Sequence, residues 1–322
     1  MTESLLEVNN LHVHFPVKKG ILQRTKGFVR AVDDISFDVA RGETFGLVGE
    51  SGCGKSTTGR AILNLIKPTS GQVLFGGEDL ATIAPGLMRE KRKDLQMVFQ
   101  DPYASLNPRL TVEQILEEPL KAHNIGDSAE RRRKIIEMMD VCGLNSAYLK
   151  RYAHEFSGGQ RQRICIARAL ILKPQLIVAD EPVSALDVSI QSQILNLLQD
   201  LQEEFKLTYL FISHDLAVVN HLCNRLGVMY LGRMAELGTA EKIYAKPLHP
   251  YTESLLSAIP SADPREKKER ILLRGEVPSP ANPPTGCAFV TRCPKAIDMC
   301  KKERPKLLKV EEDHLVACHL FT

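Results

Sequence analysis

Gly49-Glu50-Ser51-Gly52-Cys53-Gly54-Lys55-Ser56 matches the spacing G-x-x-x-x-G-K-[ST] at every defined position, and Thr57 follows it. Glycines let such a loop wrap closely, so that its backbone N–H groups point at phosphate oxygens. A helix that begins at the end of the loop presents its positive end to the same anion. Lys55 is then placed to reach the β- and γ-phosphates, and Ser56 to ligate Mg²⁺. The alternative, a chance glycine turn, is disfavoured by the apolar run before the loop, so the stretch predicts a nucleotide and magnesium site.

The apolar run Phe45-Gly46-Leu47-Val48 is one of several strand-like segments along the chain. The others are Met97-Val98-Phe99, Leu176-Ile177-Val178-Ala179 and Tyr209-Leu210-Phe211-Ile212. Between the last two, Ile190, Ile194, Leu197, Leu201 and Phe205 form one apolar stripe at helical spacing. Strands that are apolar throughout and alternate with amphipathic helices predict an α/β fold, with a mostly parallel sheet covered on both faces.

Composition narrows the class of protein further. The chain has 322 residues, 43% of them hydrophobic and 25% charged, with a formal net charge of +3. Such values exclude wholesale disorder and collagen, and the near-balanced charge gives no argument for a nucleic-acid partner. No run approaches the roughly 18 apolar residues of a spanning helix, and the N-terminus lacks a secretory layout. We therefore expect a chain that does not itself cross a membrane.

Changes in residue pattern divide the chain into parts. Between about residues 101 and 172 the strand pattern disappears, which predicts a helical subdomain. Within it, residues 130–141 are expected to form a helix that buries Ile135, Ile136 and Met139. Beyond residue 250 come a proline-rich linker, with a charge run over residues 265–270, and a cysteine-bearing segment. The predicted domains are thus 1–250, containing the helical subdomain, and 251–322, a small C-terminal extension.

A buried strand ends in two carboxylates at Asp180 and Glu181. Acidic groups at the carboxyl end of a parallel strand lie beside the phosphate loop in an architecture of this kind. Asp180 is predicted to bind Mg²⁺, directly or through water, and Glu181 to polarise the attacking water in phosphoryl transfer. A solvated Asp-Glu turn is the alternative.

A second anion site is predicted at Ser157-Gly158-Gly159-Gln160, which comes at the start of a helical pattern. Free N–H groups and the positive end of the helix dipole would both face an anion there. By itself the segment is an ordinary flexible turn. Its position, after one phosphate site and shortly before the acidic strand, is what favours a function.

The phosphate loop, the Ser-Gly-Gly-Gln segment and the acidic strand follow one another along the chain. In this, residues 5–250 resemble the ATP-binding-cassette (ABC) family, whose hallmark is the Ser-Gly-Gly-Gln element. The resemblance implies a P-loop NTPase with a RecA-like core, in which two subunits pair head to tail. Each ATP then lies between one phosphate loop and the other subunit's Ser-Gly-Gly-Gln. One departure is Phe156, where many members have leucine.

The same resemblance implies roles for single residues. Gln100 corresponds to the glutamine that senses Mg²⁺ and the transmembrane partner, and His214 to the switch histidine that contacts the γ-phosphate. Asp187, in Ser184-Ala185-Leu186-Asp187, falls in the dimer-contact loop. Phe15 is the choice for the aromatic that stacks on adenine, and Phe28 the second choice.

The eight cysteines divide into two sets. Cys53 lies in the phosphate loop near a predicted helix start, where a lowered thiol pKa is expected. We interpret it as a tolerated small residue and a candidate site of oxidative inactivation, not as a nucleophile. The last four, Cys287-x5-Cys293-x6-Cys300-x17-Cys318, are called here the four-cysteine motif. Four thiolates suit structural Zn²⁺ or an iron–sulfur cluster, and the absence of paired C-x2-C spacing favours a [4Fe–4S] cluster. Two disulfides and coincidental thiols remain as alternatives.

A narrower resemblance comes from His249-Pro250-Tyr251-Thr252, the cysteines that follow it, and residues 100–108. These look like the ATPases of oligopeptide and dipeptide importers, some of which carry a [4Fe–4S] cluster on such cysteines. The resemblance implies ATP hydrolysis coupled to uptake at the cytoplasmic face of a bacterial membrane. The implied partners are a second ATPase subunit, often a paralogue, two permeases and an extracytoplasmic binding protein. Two alternatives stay open: a nickel or other small-solute importer, and a soluble ABC ATPase with a redox-sensing tail.

Overall fold

The computed structural model describes residues 3–20, 24–259 and 270–321 of the chain. Its strands are β1 (Ser4–Lys19), β2 (Arg24–Ala40), β3 (Thr44–Val48), β4 (Ser70–Phe75), β5 (Glu78–Asp79), β6 (Leu95–Val98), β7 (Leu176–Asp180), β8 (Thr208–Ser213), β9 (Arg225–Tyr230), β10 (Arg233–Thr239), β11 (Leu308–Glu311) and β12 (His314–Val316). Its helices are α1 (Lys55–Ile62), α2 (Pro85–Lys91), α3 (Pro102–Ser105), α4 (Val112–Ala122), α5 (Ser128–Val141), α6 (Gly158–Leu170), α7 (Val188–Phe205), α8 (Leu216–Leu222), α9 (Ala240–Ala245), α10 (Pro250–Ser257) and α11 (Asp298–Lys302). None of the described helices is long and apolar enough to cross a membrane.

The larger sheet has eight strands in the order β11-β12-β10-β9-β3-β8-β7-β6. The five strands from β9 to β6 are parallel, with β3 lying between β8 and β9. Every residue of β3, β7 and β8 is buried, as expected for strands covered on both faces. The prediction of an α/β fold is therefore confirmed. The loops that follow β3, β7 and β8 all leave from the same edge of this sheet, where ligands of such folds bind.

A second, antiparallel sheet has the order β2-β1-β4-β5 and was not predicted from the sequence. It packs on the core through pairs such as Phe37 and Phe45, whose rings stack with centroids 4.8 Å apart. β2 also reaches the phosphate loop, because the carbonyl of Ala31 lies against Gly54. This sheet therefore contacts the loop through Ala31 of β2.

Helices α3 to α6 occupy residues 102–170, with α4 and α5 packed on each other and on α6. Asp127 begins α5 by accepting a hydrogen bond from the N–H of Glu130. Ile135 and Met139 are buried as predicted, but Ile136 is 38% exposed and the prediction for it was wrong. Met138 is buried instead, because positions three and four after Ile135 share its helix face, whereas the next position after Ile135 lies about 100° around the helix.

The C-terminal extension is continuous with the larger sheet. β12 pairs antiparallel with β10, through Glu236↔Val316 and Gly238↔His314, and β11 pairs with β12. The ring of Phe289 packs against Tyr230 and Tyr251, with centroids 5.1 and 5.4 Å away. Residues 260–269, which include most of the predicted linker's charge run, lie outside the described residues.

Candidate nucleotide-binding site and four-cysteine motif

The phosphate loop joins β3 to α1 in a conformation that its glycines require. Gly49 has φ 149° and Gly54 has φ 108°. A Cβ atom on Gly54 would lie 2.1 Å from the Ala31 carbonyl oxygen. The Lys55 ammonium is buried and donates hydrogen bonds to the carbonyls of Gly49, at 2.7 Å, and Glu50, at 3.0 Å. Ser51, Gly52, Ser56 and Thr57 complete the loop and the first turn of α1. A preformed loop with a buried cation is suited to a polyphosphate.

Ser56 and Asp180 lie together, as expected for a magnesium site. Ser56 Oγ donates a hydrogen bond of 2.7 Å to Asp180 Oδ1, and Arg60 lies 3.9 Å from Oδ2. Asp180 is 1% exposed, and burial raises the pKa of its carboxyl group. Two hard oxygen donors beside a phosphate loop are the kind of ligands that Mg²⁺ binds together with phosphates. The residues present therefore fit this ion.

Glu181, Gln100 and His214 meet at one carboxylate oxygen. Glu181 Oε2 accepts a hydrogen bond of 2.8 Å from Gln100 Nε2 and lies 3.1 Å from His214 Nδ1. The backbone of Glu181 has φ 49°, and its N–H donates to the Ile212 carbonyl at 2.9 Å. A non-glycine residue at positive φ is uncommon and often found at functional sites. Three loops thus bring the three predicted catalytic residues together.

Ser157-Gly158-Gly159-Gln160 forms the start of α6. Ser157 caps the helix by accepting from the N–H of Gln160, while Gln160 Oε1 accepts from the N–H of Ser157. A Cβ atom on Gly159 would lie 2.6 Å from Ile190 Cγ2 of α7, so the glycine allows the two helices to approach. Ser157 and Asp187 are exposed, at the starts of α6 and α7.

The two candidate adenine-binding aromatics lie on the β1–β2 hairpin. Phe15 is 40% exposed and Phe28 is 51% exposed. Phe15 pairs with Val29, two positions before Ala31, which touches the phosphate loop. This hairpin therefore carries both aromatic rings on the element that contacts Gly54.

For Cys53 the expected direction of the pKa shift was wrong. Burial raises the pKa of its thiol, although Lys55 Nζ lies 3.8 Å from the sulfur. The side chain is 5% exposed and lies inside the loop, away from solvent. Desolvation opposes the charged thiolate and outweighs the nearby ammonium, so Cys53 has the character of an inert buried thiol.

The four-cysteine motif is gathered within the extension. Cys287, Cys300 and Cys318 are buried and Cys293 is half-buried. Burial raises the pKa of Cys287 to about 11, with smaller contributions from the charges of the other three. The backbone groups of Phe289, Lys295 and Leu320 lower the pKa values of the Cys287, Cys293 and Cys318 thiols, but burial raises those pKa values by more. The net direction favours the protonated thiols, so a bound cation would be needed to stabilise the thiolates that ligate metal.

Gly286 brings two parts of the motif into contact. A Cβ atom on Gly286 would lie 2.2 Å from the Cys300 carbonyl oxygen, and the N–H of Cys287 donates to the same oxygen at 2.8 Å. The segment carrying Cys287 is thereby fixed against α11, which carries Cys300. Four thiols on one short segment are the donor type that zinc or an iron–sulfur cluster takes, although no three of these sulfur atoms lie within 4.8 Å of one another.

Two contacts of the phosphate loop were not found from the sequence. Tyr251 Oη accepts a hydrogen bond of 2.8 Å from the N–H of Glu50, and Arg292 pairs with the Glu50 carboxylate. Tyr251 lies in the His-Pro-Tyr-Thr segment, which indicated a resemblance to a family but predicted no contact for the tyrosine. Arg292 has no signal at all in the sequence, because its partner is 242 positions away.

Two family models match the chain. The one described as ABC transporter matches residues 32–184, which contain the phosphate loop, the Ser157 segment and the acidic strand. The one described as oligopeptide/dipeptide transporter, C-terminal region, matches residues 235–300, from β10 into the four-cysteine motif. The second match begins before residue 250 and covers most of the C-terminal extension.

Relatives match over nearly the whole length. The oligopeptide transport ATP-binding protein AppF of Bacillus subtilis is 55% identical, with 99% of this chain and 98% of that protein covered. A putative peptide import ATP-binding protein of Brucella ovis is 54% identical, with the same coverage. Among solved structures, the ADP- and phosphate-bound dimer of the cassette MJ0796 superposes with a TM-score of 0.65 at 28% identity, covering 73% of this chain and 98% of that one. The chain therefore belongs to the ABC transporter family, as an ATP-binding subunit with the C-terminal region of the oligopeptide and dipeptide transporters.

Proposed function

We propose that the protein is the ATP-hydrolysing subunit of a bacterial importer for dipeptides and oligopeptides. The observation that carries the proposal is the meeting of Glu181, Gln100 and His214 beside the Ser56–Asp180 pair. A carboxylate, an amide and an imidazole then surround the place where the γ-phosphate of a nucleotide on Lys55 would lie. The names of the relatives, which refer to oligopeptide transport and peptide import, indicate peptides as the class of transported substrate.

Glu181 is the proposed general base. Its carboxylate takes a proton from the attacking water, while Gln100 and His214 hold its orientation through Oε2. Ser56, Asp180 and Gln100 would hold Mg²⁺, which neutralises charge on the β- and γ-phosphate oxygens when bound. Lys55 provides a second positive charge from inside the loop. Phe15 provides the stacking surface for adenine.

The exposed starts of α6 and α7 favour pairing with a second subunit. In this arrangement residues 157–160 of one subunit point the positive end of α6 at the ATP held by the other, and Asp187 lies at the contact. The second subunit is a paralogue or another copy of this chain. ATP between the two closes the pair, and hydrolysis releases it.

The proposed permease contact is a groove of about 650 Å³ between the helical subdomain and the parallel sheet. Its lining combines apolar and basic side chains, including Leu65, Phe99, Arg92 and Arg168, with Gln100 at one end. Leu65 is 47% exposed. A cytoplasmic helix of a permease, apolar on one face, fits this lining and would touch the catalytic glutamine. The protein would thereby lie at the cytoplasmic face of the membrane, with the peptide-binding protein acting through two permeases.

For the four-cysteine motif we propose a [4Fe–4S] cluster bound by Cys287, Cys293, Cys300 and Cys318. The presence of four free thiols in one segment supports a metal site, and the wide spacing of the cysteines along the chain supports a cluster over a single zinc ion. A zinc ion bound by the same four thiols is the alternative that iron and zinc analysis distinguishes from the cluster, and two disulfides are the alternative without metal.

The test is anaerobic reconstitution with candidate permeases and their binding protein in lipid. We expect ATP hydrolysis that rises when a peptide-loaded binding protein is present. Stimulation by a nickel-loaded binding protein instead would assign the protein to the small-solute alternative. Failure to associate with any permease, together with hydrolysis that no binding protein changes, would contradict transport altogether.

A further inference from the structure

The phosphate loop is held from outside by the C-terminal extension. Arg292 Nη1 and Nη2 donate to the two Glu50 carboxylate oxygens at 2.7 and 3.0 Å, a bidentate pair. The backbone N–H of Glu50 donates to Tyr251 Oη at 2.8 Å. One loop residue is therefore fixed twice, at its side chain and at its backbone, by residues of the extension.

The pair is partly withdrawn from water. The Arg292 side chain is 9% exposed and that of Glu50 is 28% exposed. Arg292 Nη1 also lies 3.4 Å from Tyr230 Oη, and the rings of Tyr230 and Tyr251 pack edge to face. Bidentate arginine–carboxylate pairs are among the stronger polar contacts, and they fix geometry as well as charge.

Glu50 lies in the phosphate loop, so its pair with Arg292 bears on nucleotide binding. Its carbonyl accepts a hydrogen bond from Lys55 Nζ at 3.0 Å, so movement of Glu50 moves the partner of the phosphate-binding lysine. Its carboxylate also brings a negative charge into a loop that must receive a polyphosphate. An unpaired carboxylate there repels the nucleotide, and a neutralised one does not.

We propose that Arg292 is a positioning residue for ATP binding: it neutralises and fixes Glu50, and thereby makes the affinity of the phosphate loop depend on the extension. The proposal rests on the nucleotide site described above. Arg292 immediately precedes Cys293, so the fold of the four-cysteine motif delivers the guanidinium to the loop. The extension thus acts on the nucleotide of its own subunit.

The experiment is a double-mutant cycle in the full-length protein, with Arg292→Gln, Glu50→Gln and the double variant. Binding of ATP–Mg²⁺ is measured directly, and KM and kcat are measured separately. Arg292→Gln leaves the Glu50 charge unpaired, and we expect ATP affinity to fall about tenfold, with kcat at saturating ATP little changed. In the Glu50→Gln background the same substitution should change affinity less than about threefold, because no charge remains to be neutralised.

Lys246→Gln is the matched control. It breaks an exposed ion pair of 2.7 Å between Lys246 and Glu311, which also joins the cassette to the extension. Lys246→Gln should leave ATP affinity unchanged. Arg292→Lys should bind ATP more tightly than Arg292→Gln does, because the lysine keeps the positive charge beside Glu50. The proposal would be overturned if Arg292→Gln lowered ATP affinity equally in the wild-type and Glu50→Gln backgrounds. It would also be overturned if Arg292→Gln bound ATP with wild-type affinity. A wild-type protein that binds no ATP at all would instead overturn the nucleotide site itself.

Discussion

Ser56 and Asp180, 124 positions apart in the chain, are joined by a hydrogen bond of 2.7 Å between Oγ and Oδ1. The contact connects the first turn of α1 to the end of β7. It places an alcohol and a carboxylate where a cation held between protein and phosphates would need them. Because Asp180 is buried, its negative charge is costly in the absence of a cation, and burial raises the pKa of its carboxyl group.

Asp180→Asn should separate magnesium binding from nucleotide binding. The amide keeps the shape and can still accept the hydrogen bond from Ser56, but it lacks the charge that attracts Mg²⁺. We expect the affinity for ATP in the presence of Mg²⁺ to fall at least about tenfold, while affinity in EDTA changes little. Titration of a fluorescent ATP analogue under both conditions measures the difference. Equal losses with and without Mg²⁺ would remove Asp180 from the metal site.

Gly159→Ala should disturb the contact between α6 and α7. The added Cβ atom would lie 2.6 Å from Ile190 Cγ2, too close for any relaxed contact. We expect the free energy of unfolding to fall by about 1–3 kcal/mol in urea titrations, as for other overpacked sites.

Two further variants decide whether the clash is the cause. Ile190→Ala removes the clashing methyl, so the double variant should lose less stability than the two single losses added together. Gly86→Ala, in α2 with no atom within 4 Å of its Cβ, should be neutral or stabilising. If Gly159→Ala were as stable as the wild type, α7 would be able to move away from the added Cβ atom without lowering the free energy of unfolding.

His249 should make the protein lose stability in mild acid. Burial lowers the pKa of His249 to about 4, whereas an unfolded histidine titrates near 6.5. The unfolded state therefore binds the proton first, so the contribution is fully present above pH 6.5 and is lost as the pH falls toward 4. Between pH 7 and pH 5 this one group should remove about 2 kcal/mol from the free energy of unfolding.

The matched variant is His249→Asn. Asparagine can still accept the hydrogen bond that His249 Nδ1 accepts from the N–H of Tyr251 at 3.0 Å, but it does not titrate. Its urea midpoint should therefore depend less on pH between 7 and 5 than that of the wild type. An identical pH dependence in both proteins would exclude His249 as the responsible group.

The four-cysteine motif should bind iron. We expect protein purified without oxygen to be brown and to contain about four iron and four sulfide per chain. Cys300→Ser should lower both contents, whereas Cys53→Ser, at a buried thiol outside the motif, should not. A colourless, zinc-loaded wild-type protein would refute the cluster.

Much of the core could be predicted from sequence because local pattern was enough. β7 and β8 are apolar runs, and the loops after β3 and β7 carry residues whose spacing has a chemical meaning. The stripe from Ile190 to Phe205 matches α7. Where a pattern was ambiguous, as at Ile136 and Met138, the buried residue was misassigned, since adjacent apolar residues do not say which of them faces inward.

Other features depend on contacts between distant segments. β1 and β2 alternate in burial and shift register at several points, so neither has the continuous apolar run that marked the central strands. The expected low pKa of Cys53 failed because a position near a helix start does not reveal burial. The Arg292–Glu50 pair joins two residues that are 242 positions apart, and only the fold brings them together.

The central claim is that Glu181 is the general base of ATP hydrolysis, and Glu181→Gln tests it most directly. The amide is nearly isosteric and uncharged, so ATP–Mg²⁺ affinity should stay within about threefold of the wild type, while turnover falls at least about a hundredfold. The measurement is ATP hydrolysis at saturating ATP, alongside equilibrium ATP binding, in the assembled transporter. A fall of at least about a hundredfold in turnover with intact ATP binding is the predicted result, and undiminished turnover would contradict the account.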